Sequence, residues 1–287
     1  LFEEPEAFLH PNQQENMACR LRTLSSQSDH QVFITSHAPS FLDKAHQNLL
    51  EIVRVTRTSG ITNVNQLSKE NLVEIFEQGL SFKDLLQEIV DNQKQGAGTA
   101  KQMLPDPELD DECLRSMEMF RYQLWLDSER LSLFFSDTVI LIEGATEKVF
   151  LNYQLSRDWV SLRDHKICVV DVNGKYIIHR YMKLLEAFGI NHIVICDGDS
   201  NEKLHKYLNP FIASCNNQFT LSAPYFFEKD LEEFLGYESP KKQAMKPITI
   251  MHKLEHKEIC TQKIADLYDI INSLLIGTSE VKVKQVS

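Results

Sequence analysis

The sequence predicts an α/β protein whose second half is a parallel sheet flanked by helices, and three observations carry that reading. KICVVDV (166–172) and HIVIC (192–196) read as strands, and between them Ile177, Ile178, Tyr181, Leu184, Leu185 and Phe188 mark one face of a helix that stops at Gly189. Strand, helix and strand in that order call for parallel strands with helices laid across them. In TVILIEGATEKVF (138–150), the apolar run 139–142 is a short buried strand that breaks at Glu143 and Gly144, where a helix takes over. Acids then collect where strands stop: Glu143 ends one, and Asp197 and Asp199 of CDGDS end another. In open sheets of this kind, function gathers beyond the carboxyl ends of the strands.

Those acids invite a chemical reading. Glu147 follows Glu143 by one helical turn, so the two carboxylates lie close, and Asp197 and Asp199 point the same way from an extended segment. Carboxylates held together repel unless a cation lies between them, and an all-oxygen donor set suits Mg²⁺ or Mn²⁺ rather than zinc. The plainer reading of the Glu pair is a helix whose first turn carries acids because its N-terminus is positive, and the plainer reading of DGDS is a polar turn. Three acids at the ends of two neighbouring strands are harder to explain as turns.

Ahead of this sheet the chain is more mixed. LFEEPEAFLHP leads into a polar helix from about 11 to 29, then VFITSHAPSFL places a buried strand at 32–35 that ends at Ser36 and His37. Residues 51–57 form another strand, closed by Ser59 and Gly60. From 61 to 110 the spacing turns helical, with flexible connections in QKQGAGTAKQ and LPDPELDD, and a longer helix is expected from about 111 to 135. Leu114, Met117, Leu124 and Leu131 would share one stripe of it, serving packing or self-association. The divisions are thus 1–60, a helical linker over 61–135, and an acidic α/β domain over 136–287.

Composition limits the function. A chain of 287 residues that is 43% hydrophobic and 25% charged can bury two modest cores. No apolar run approaches the roughly 20 residues a bilayer span needs, and no signal-like segment opens the chain, so a cytoplasmic protein without membrane contact is expected. Cys19, Cys113, Cys168, Cys196, Cys215 and Cys260 show no CxxC pair or matched histidine spacing, so they are expected as reduced thiols rather than zinc ligands. A net charge of -11 argues against holding nucleic acid on a broad basic surface. If DNA is the substrate, metal ions and local lysines must neutralise its phosphates. The chain opens at Leu1 within a motif and has no GxxxxGK[ST] loop, so it is expected to be the C-terminal part of something longer.

The residues also resemble known families. LFEEPEAFLHP together with VFITSHAPSFL resembles the second half of an ABC-type ATPase head, of the kind shared with SMC and RecF-like proteins. That resemblance implies Glu3 as the magnesium-side acid, Glu4 as the base that polarises the attacking water, and His37 as the residue that senses the γ-phosphate, with an ATP site incomplete in this chain. On its own, His37 would be a polar strand-end residue. EGATEK, VNGKY and CDGDS look like a Toprim domain, the metal-dependent fold of topoisomerases, some primases and a group of nucleases. An ABC head placed before Toprim resembles the OLD (overcoming lysogenization defect) family of ATP-dependent endonucleases, including Gabija-type antiphage nucleases. The resemblance implies DNA as substrate, a homo-oligomer (dimer or tetramer) and, for the Gabija type, a helicase-like partner subunit. It also makes Asp230 in FFEKDLEEFLG a further metal ligand, with Glu232 as alternate, and Lys246 in AMKPITIMHKL the lysine near the scissile phosphate, with Lys241, Lys242 and Lys253 as neighbours in sequence. For Glu232 and Lys253 a solvated helix face is the favoured reading.

Two other functions fit parts of this pattern. A topoisomerase needs a nucleophilic tyrosine on a separate domain, and a primase often brings a zinc module, which these cysteines do not support. A non-hydrolytic, ATP-gated assembly protein would have the same composition, and metal-dependent nicking of a plasmid separates it from a nuclease.

Overall fold

The computed structural model describes residues 1–42, 46–106, 109–127, 129–198 and 204–277. Strand β1 (Phe2–Glu3) is followed by helix α1 (Pro11–Ser25), which returns the chain so that β2 (Ile34–Thr35) pairs with β1 in parallel. The apolar run expected as a strand from residue 32 yields only these two strand residues, because β1 offers a short ladder; Phe33 is 64% exposed.

Strands β3 (Val53–Thr58) and β4 (Ile61–Gln66) form an antiparallel hairpin. Ser59 and Gly60 both have positive φ, 52° and 83°, the turn geometry whose twist suits a two-residue hairpin. The boundary set after Gly60 falls at this turn, with β3 and β4 paired along their full length across it. The polar sequence ITNVNQ gives no period-two signal, and strand β4 stands where the sequence predicts the start of the helical stretch.

Helices α2 (Lys69–Asp91), α3 (Ala97–Met103) and α4 (Asp111–Trp125) follow. Ser68 caps α2 by accepting from the Asn71 N–H at 3.1 Å. The long helix expected to 135 stops at Trp125: the Asp127 carboxylate accepts from the Arg130 N–H at 2.8 Å and starts a separate 3₁₀ turn, Arg130–Phe135. The expected stripe divides accordingly. Leu114 and Leu131 are buried, whereas Met117 and Leu124 are 38% and 78% exposed. Helix α4 is held to the sheet layer by Glu118, whose carboxylate accepts from Arg180 Nε at 2.6 Å and Nη2 at 2.9 Å, both residues being buried.

The second half builds the expected parallel sheet. Its chain order is β5 (Thr138–Ile142), α5 (Ala145–Arg157), β6 (Ile167–Asp171), α6 (Ile178–Ala187), β7 (Asn191–Cys196), α7 (His205–Ser214) and β8 (Tyr225–Phe226). Helices α8 (Leu231–Phe234), α9 (Lys246–Glu255) and α10 (Thr261–Ile276) complete it. The spatial order is β6-β5-β7-β8, every pair parallel. From β5 the chain steps to β6 on one side and then to β7 on the other, so β5 sits at a topological switch point, where a crevice opens at the carboxyl edge.

Alternation along the strands feeds two cores. Val139, Leu141, Val170, Val194 and Cys196 pack with α6 and with Phe82, Leu86 and Ile89 of α2. Ile140, Ile142, Ile193 and Ile195 pack with Phe150 and Leu151 of α5, Ile250 of α9 and Leu267 and Ile271 of α10. Burial on both faces explains why these strands are unbroken apolar runs. The six cysteines are free thiols, and no helix among the described residues is long and apolar enough to cross a membrane.

His192 of β7 lies wholly inside this layer, its Nδ1 donating to the Ile190 carbonyl at 3.0 Å. Burial pushes its pKa down from 6.5 to about 4, despite that bond and the nearby Glu186. The folded value lies below the unfolded one, so its contribution to stability is complete above about pH 6.5 and is lost as pH falls towards about 4. The loss amounts to at most about 3 kcal/mol. Melting temperature measured across that window should fall for the wild type and be flatter for His192→Gln; parallel curves would show that His192 does not drive the loss.

Candidate functional site

The carboxyl edge of the sheet collects the acids. Glu143 follows β5 directly, and its carbonyl accepts from the Gly174 N–H at 2.8 Å, which ties the β6 loop to the β5 turn. Asn173 (φ 59°) and Gly174 (φ 118°) bend that loop through the left-handed region, so a side chain at 174 would be strained. Lys175, next in the chain, is fully buried; its Nζ lies 3.7 Å from Glu143 Oε2 and donates to the Asp197 carbonyl.

Glu147 sits in the first turn of α5 as expected, but it is buried, with Oε2 accepting from the Gly144 N–H at 3.1 Å. Burial raises its pKa to about 7, and the carboxylates of Glu143 and Glu232 press it further upward against two backbone hydrogen bonds. Lys148, the last residue of EGATEK, points elsewhere and pairs with Glu129 at 2.8 Å and Asp171 at 3.0 Å.

Asp197 follows β7, and its Oδ1 accepts from the Leu231 N–H at 3.2 Å. Gly198 is pressed against the chain entering α8: its N–H donates to the Lys229 carbonyl at 2.8 Å, and a Cβ there would lie 2.0 Å from the Phe227 carbonyl oxygen. Only glycine fits. Asp199 lies outside the described residues.

Asp230 and Glu232 arrive on the segment that Gly198 admits. Asp230 caps α8, its Oδ1 accepting from the Glu233 N–H at 2.8 Å. Glu232 is not the solvated helix residue expected, for it is 0% exposed. Leu231 of the same helix and Leu235, its C-cap, enter the core and carry Glu232 in beside them. Its Oε1 lies 3.5 Å from Lys246 Nζ and accepts from Ser239 Oγ at 3.3 Å, while Oε2 is buried with no hydrogen-bond partner among the described residues.

Lys246 opens α9. Burial works against its ammonium, but Glu232, Asp197 and Asp230 outweigh that and hold its pKa above the ordinary lysine value. Of its rivals, Lys241 and Lys242 are exposed, and Lys253 pairs with Glu258 at 3.0 Å.

The geometry therefore brings Glu143, Glu147, Asp197, Asp230 and Lys246 to one edge and adds two residues that sequence reasoning undervalued, Lys175 and Glu232. The signals available were the position of Lys175 straight after a strand-end Asn-Gly, and the placement of Glu232 beside two leucines that face inward. Among the described residues no three acids close on one point as they would around an ion. Their character nonetheless fits a divalent cation: every donor is oxygen, one buried Glu232 oxygen lacks a partner, and Glu147 is crowded by two other carboxylates.

A second cluster lies at the start of the chain. The parallel pairing of β1 and β2 puts Glu4 and His37 at adjoining strand ends, with Nε2 and Oε1 3.5 Å apart; Glu3 is exposed on β1. Glu6 fixes the His37 loop, its Oε1 accepting from Ser36 Oγ at 2.8 Å and from the His37 N–H at 2.7 Å.

A parallel sheet with β5 at its switch point and acids at three strand ends defines a Toprim-type domain. Residues 134–199 match the model of the TOPRIM domain of overcoming lysogenization defect protein-like proteins, and residues 1–42 match an AAA ATPase domain. The Old nuclease of Escherichia phage P2 is 26% identical over 222 residues, covering 76% of this chain and 31% of the phage protein. The chain is thus similar to OLD-type proteins in two places, an ATPase-like segment and, after it, a TOPRIM-like domain. It spans about a third of the length of that phage relative.

Proposed function

We propose that this protein is a divalent-metal-dependent DNA endonuclease, nicking or cutting both strands, governed by an ABC-type ATPase head. The observation that carries the proposal is the sheet edge that holds the buried Glu147 carboxyl, Glu143, Asp197 and the fully buried Glu232, one of whose oxygens has no hydrogen-bond partner among the described residues. The likeness to a phage protein named as a nuclease supports the reaction class. Glu143, Glu147, Asp197 and Asp199 would hold Mg²⁺ or Mn²⁺, with Asp230 or Glu232 completing the set. When bound, such an ion supplies Lewis acidity towards a scissile phosphate.

The chain's own groups have separate tasks. Lys246, kept as an ammonium by three acids, places positive charge where negative charge develops on the phosphate oxygens. Burial of Glu147 and Glu232 restricts water around the reacting centre. In the head, Glu4 orients water for ATP hydrolysis and His37 reports the γ-phosphate, with Glu3 on the magnesium side. The Gabija-type resemblance extends the proposal to antiphage defence in the cytoplasm, by a homo-oligomer that works with a helicase-like subunit.

The test is incubation of the intact protein with supercoiled plasmid and Mn²⁺ or Mg²⁺. Nicked or linear product is expected, and Glu143→Ala and Asp197→Ala should each remove it while the circular dichroism spectrum is retained. Cleavage that persists in both variants would reject this site.

A further inference from the structure

We propose that Lys175 is a positioning residue, a built-in counter-cation that keeps the acidic edge assembled before any metal arrives. The proposal rests on reading that edge as a metal centre, but its test does not require the metal reading to succeed. A lysine that is 0% exposed is rare, because burying an ammonium is costly unless it is paired. Here the ammonium faces the Glu143 carboxylate at 3.7 Å and donates to the Asp197 carbonyl. It therefore joins the carboxyl ends of β5 and β7 from a loop at the end of β6, and the Gly174 N–H on the Glu143 carbonyl makes a second tie between the same turns.

The surrounding charge explains the need. Burial raises the pKa of Glu147 to about 7, and the negative charges of Glu143 and Glu232 add to that rise. Without a cation the edge would lower its energy by splaying, which would draw the ligands apart. Lys148, though nearer to Glu147 in sequence, is committed to Glu129 and Asp171. Lys246 meets Glu232 from the opposite segment, so the two lysines neutralise different members of the cluster.

The experiment is a thermal double-mutant cycle on the intact protein in chelator, repeated with Mn²⁺. Lys175→Met keeps most of the side chain's bulk and removes its charge, and should lower the metal-free melting temperature by about 5–10 °C. Glu143→Gln introduced into that variant should recover most of the loss, because the carboxylate that lost the lysine's counter-charge is gone. A purely space-filling lysine would give additive losses, and a double variant as unstable as K175M, or one that fails to fold, would overturn the proposal. Lys175→Arg should retain most of the stability, whereas a loss equal to that of K175M would count against a role for charge. Mn²⁺ should raise the melting temperature of K175M more than that of the wild type, and an equal rise would count against the counter-cation. If Mn²⁺ leaves the wild type unmoved, the metal reading fails while the metal-free cycle still decides the role of Lys175.

Discussion

Glu232→Gln is expected to lower metal-dependent cleavage at least about 100-fold, the scale seen when a ligand or the group that orients it is lost from a metal or oxyanion site. The substitution preserves shape and removes one charge from a side chain that is fully buried, paired to Lys246 and pressed on Glu147. Lys246 loses the strongest of the influences that raise its pKa, and Glu147, whose pKa is raised chiefly by burial, loses one of the two carboxylates that add to that rise. Both changes weaken the site without opening a cavity, so the fold should survive. Asp230→Asn provides the comparison. Asp230 caps α8, and asparagine caps a helix about as well, so an equally inactive D230N would make Asp230 a ligand as well as a cap. Plasmid cleavage by purified variants decides the matter, and an E232Q protein as active as the wild type would reduce Glu232 to a structural ion pair.

The second large effect concerns stability. Arg54 leaves the hairpin to enter the amino edge of the sheet, opposite the acids, where its buried guanidinium donates to four carbonyls. These are Phe134 at 3.1 Å, Ser136 at 2.7 Å, Phe188 at 3.3 Å and Gly189 at 3.0 Å. The first pair precedes β5 and the second precedes β7, so one side chain clamps both strand entries to β3. Arg54→Met would leave those carbonyls short of donors, at an expected loss of about 3–5 kcal/mol. For a chain of this size that corresponds to a fall in melting temperature on the order of 10 °C. Arg54→Lys should recover little, since one ammonium cannot span four acceptors as a planar fork does. A fall of only a degree or two in R54M by calorimetry would show that the clamp is dispensable.

Legibility followed burial. The runs at 139–142 and 192–196 announced strands because the sheet is covered on both faces, yet nothing in them told which residue would face α6 and which α5. The hairpin strand β4 was hidden because most of it faces solvent, with Ile61 and Val64 over 60% exposed, and its alternation is blurred by polar residues. Helix α4 ends earlier than its sequence predicts because the apolar spacing runs on past Trp125, and only the Asp127 to Arg130 bond reveals the break. Glu143, Glu147 and Asp197 were readable as strand-end and helix-start acids. Glu232 and Lys175 were not, because charged residues in polar-looking segments are buried only by partners far away in sequence. Their meaning lies in the ion pairs with Lys246 and Glu143.

The central claim is that side chains from β5, α5, β7 and the α8 segment share a divalent ion. Anomalous diffraction from crystals grown in Mn²⁺ tests it most directly. A manganese peak within coordination reach of Glu143, Glu147 and Asp197, with Glu232 beside it, is the expected result. A peak bound elsewhere, or no peak with these carboxylates turned apart, would contradict the account.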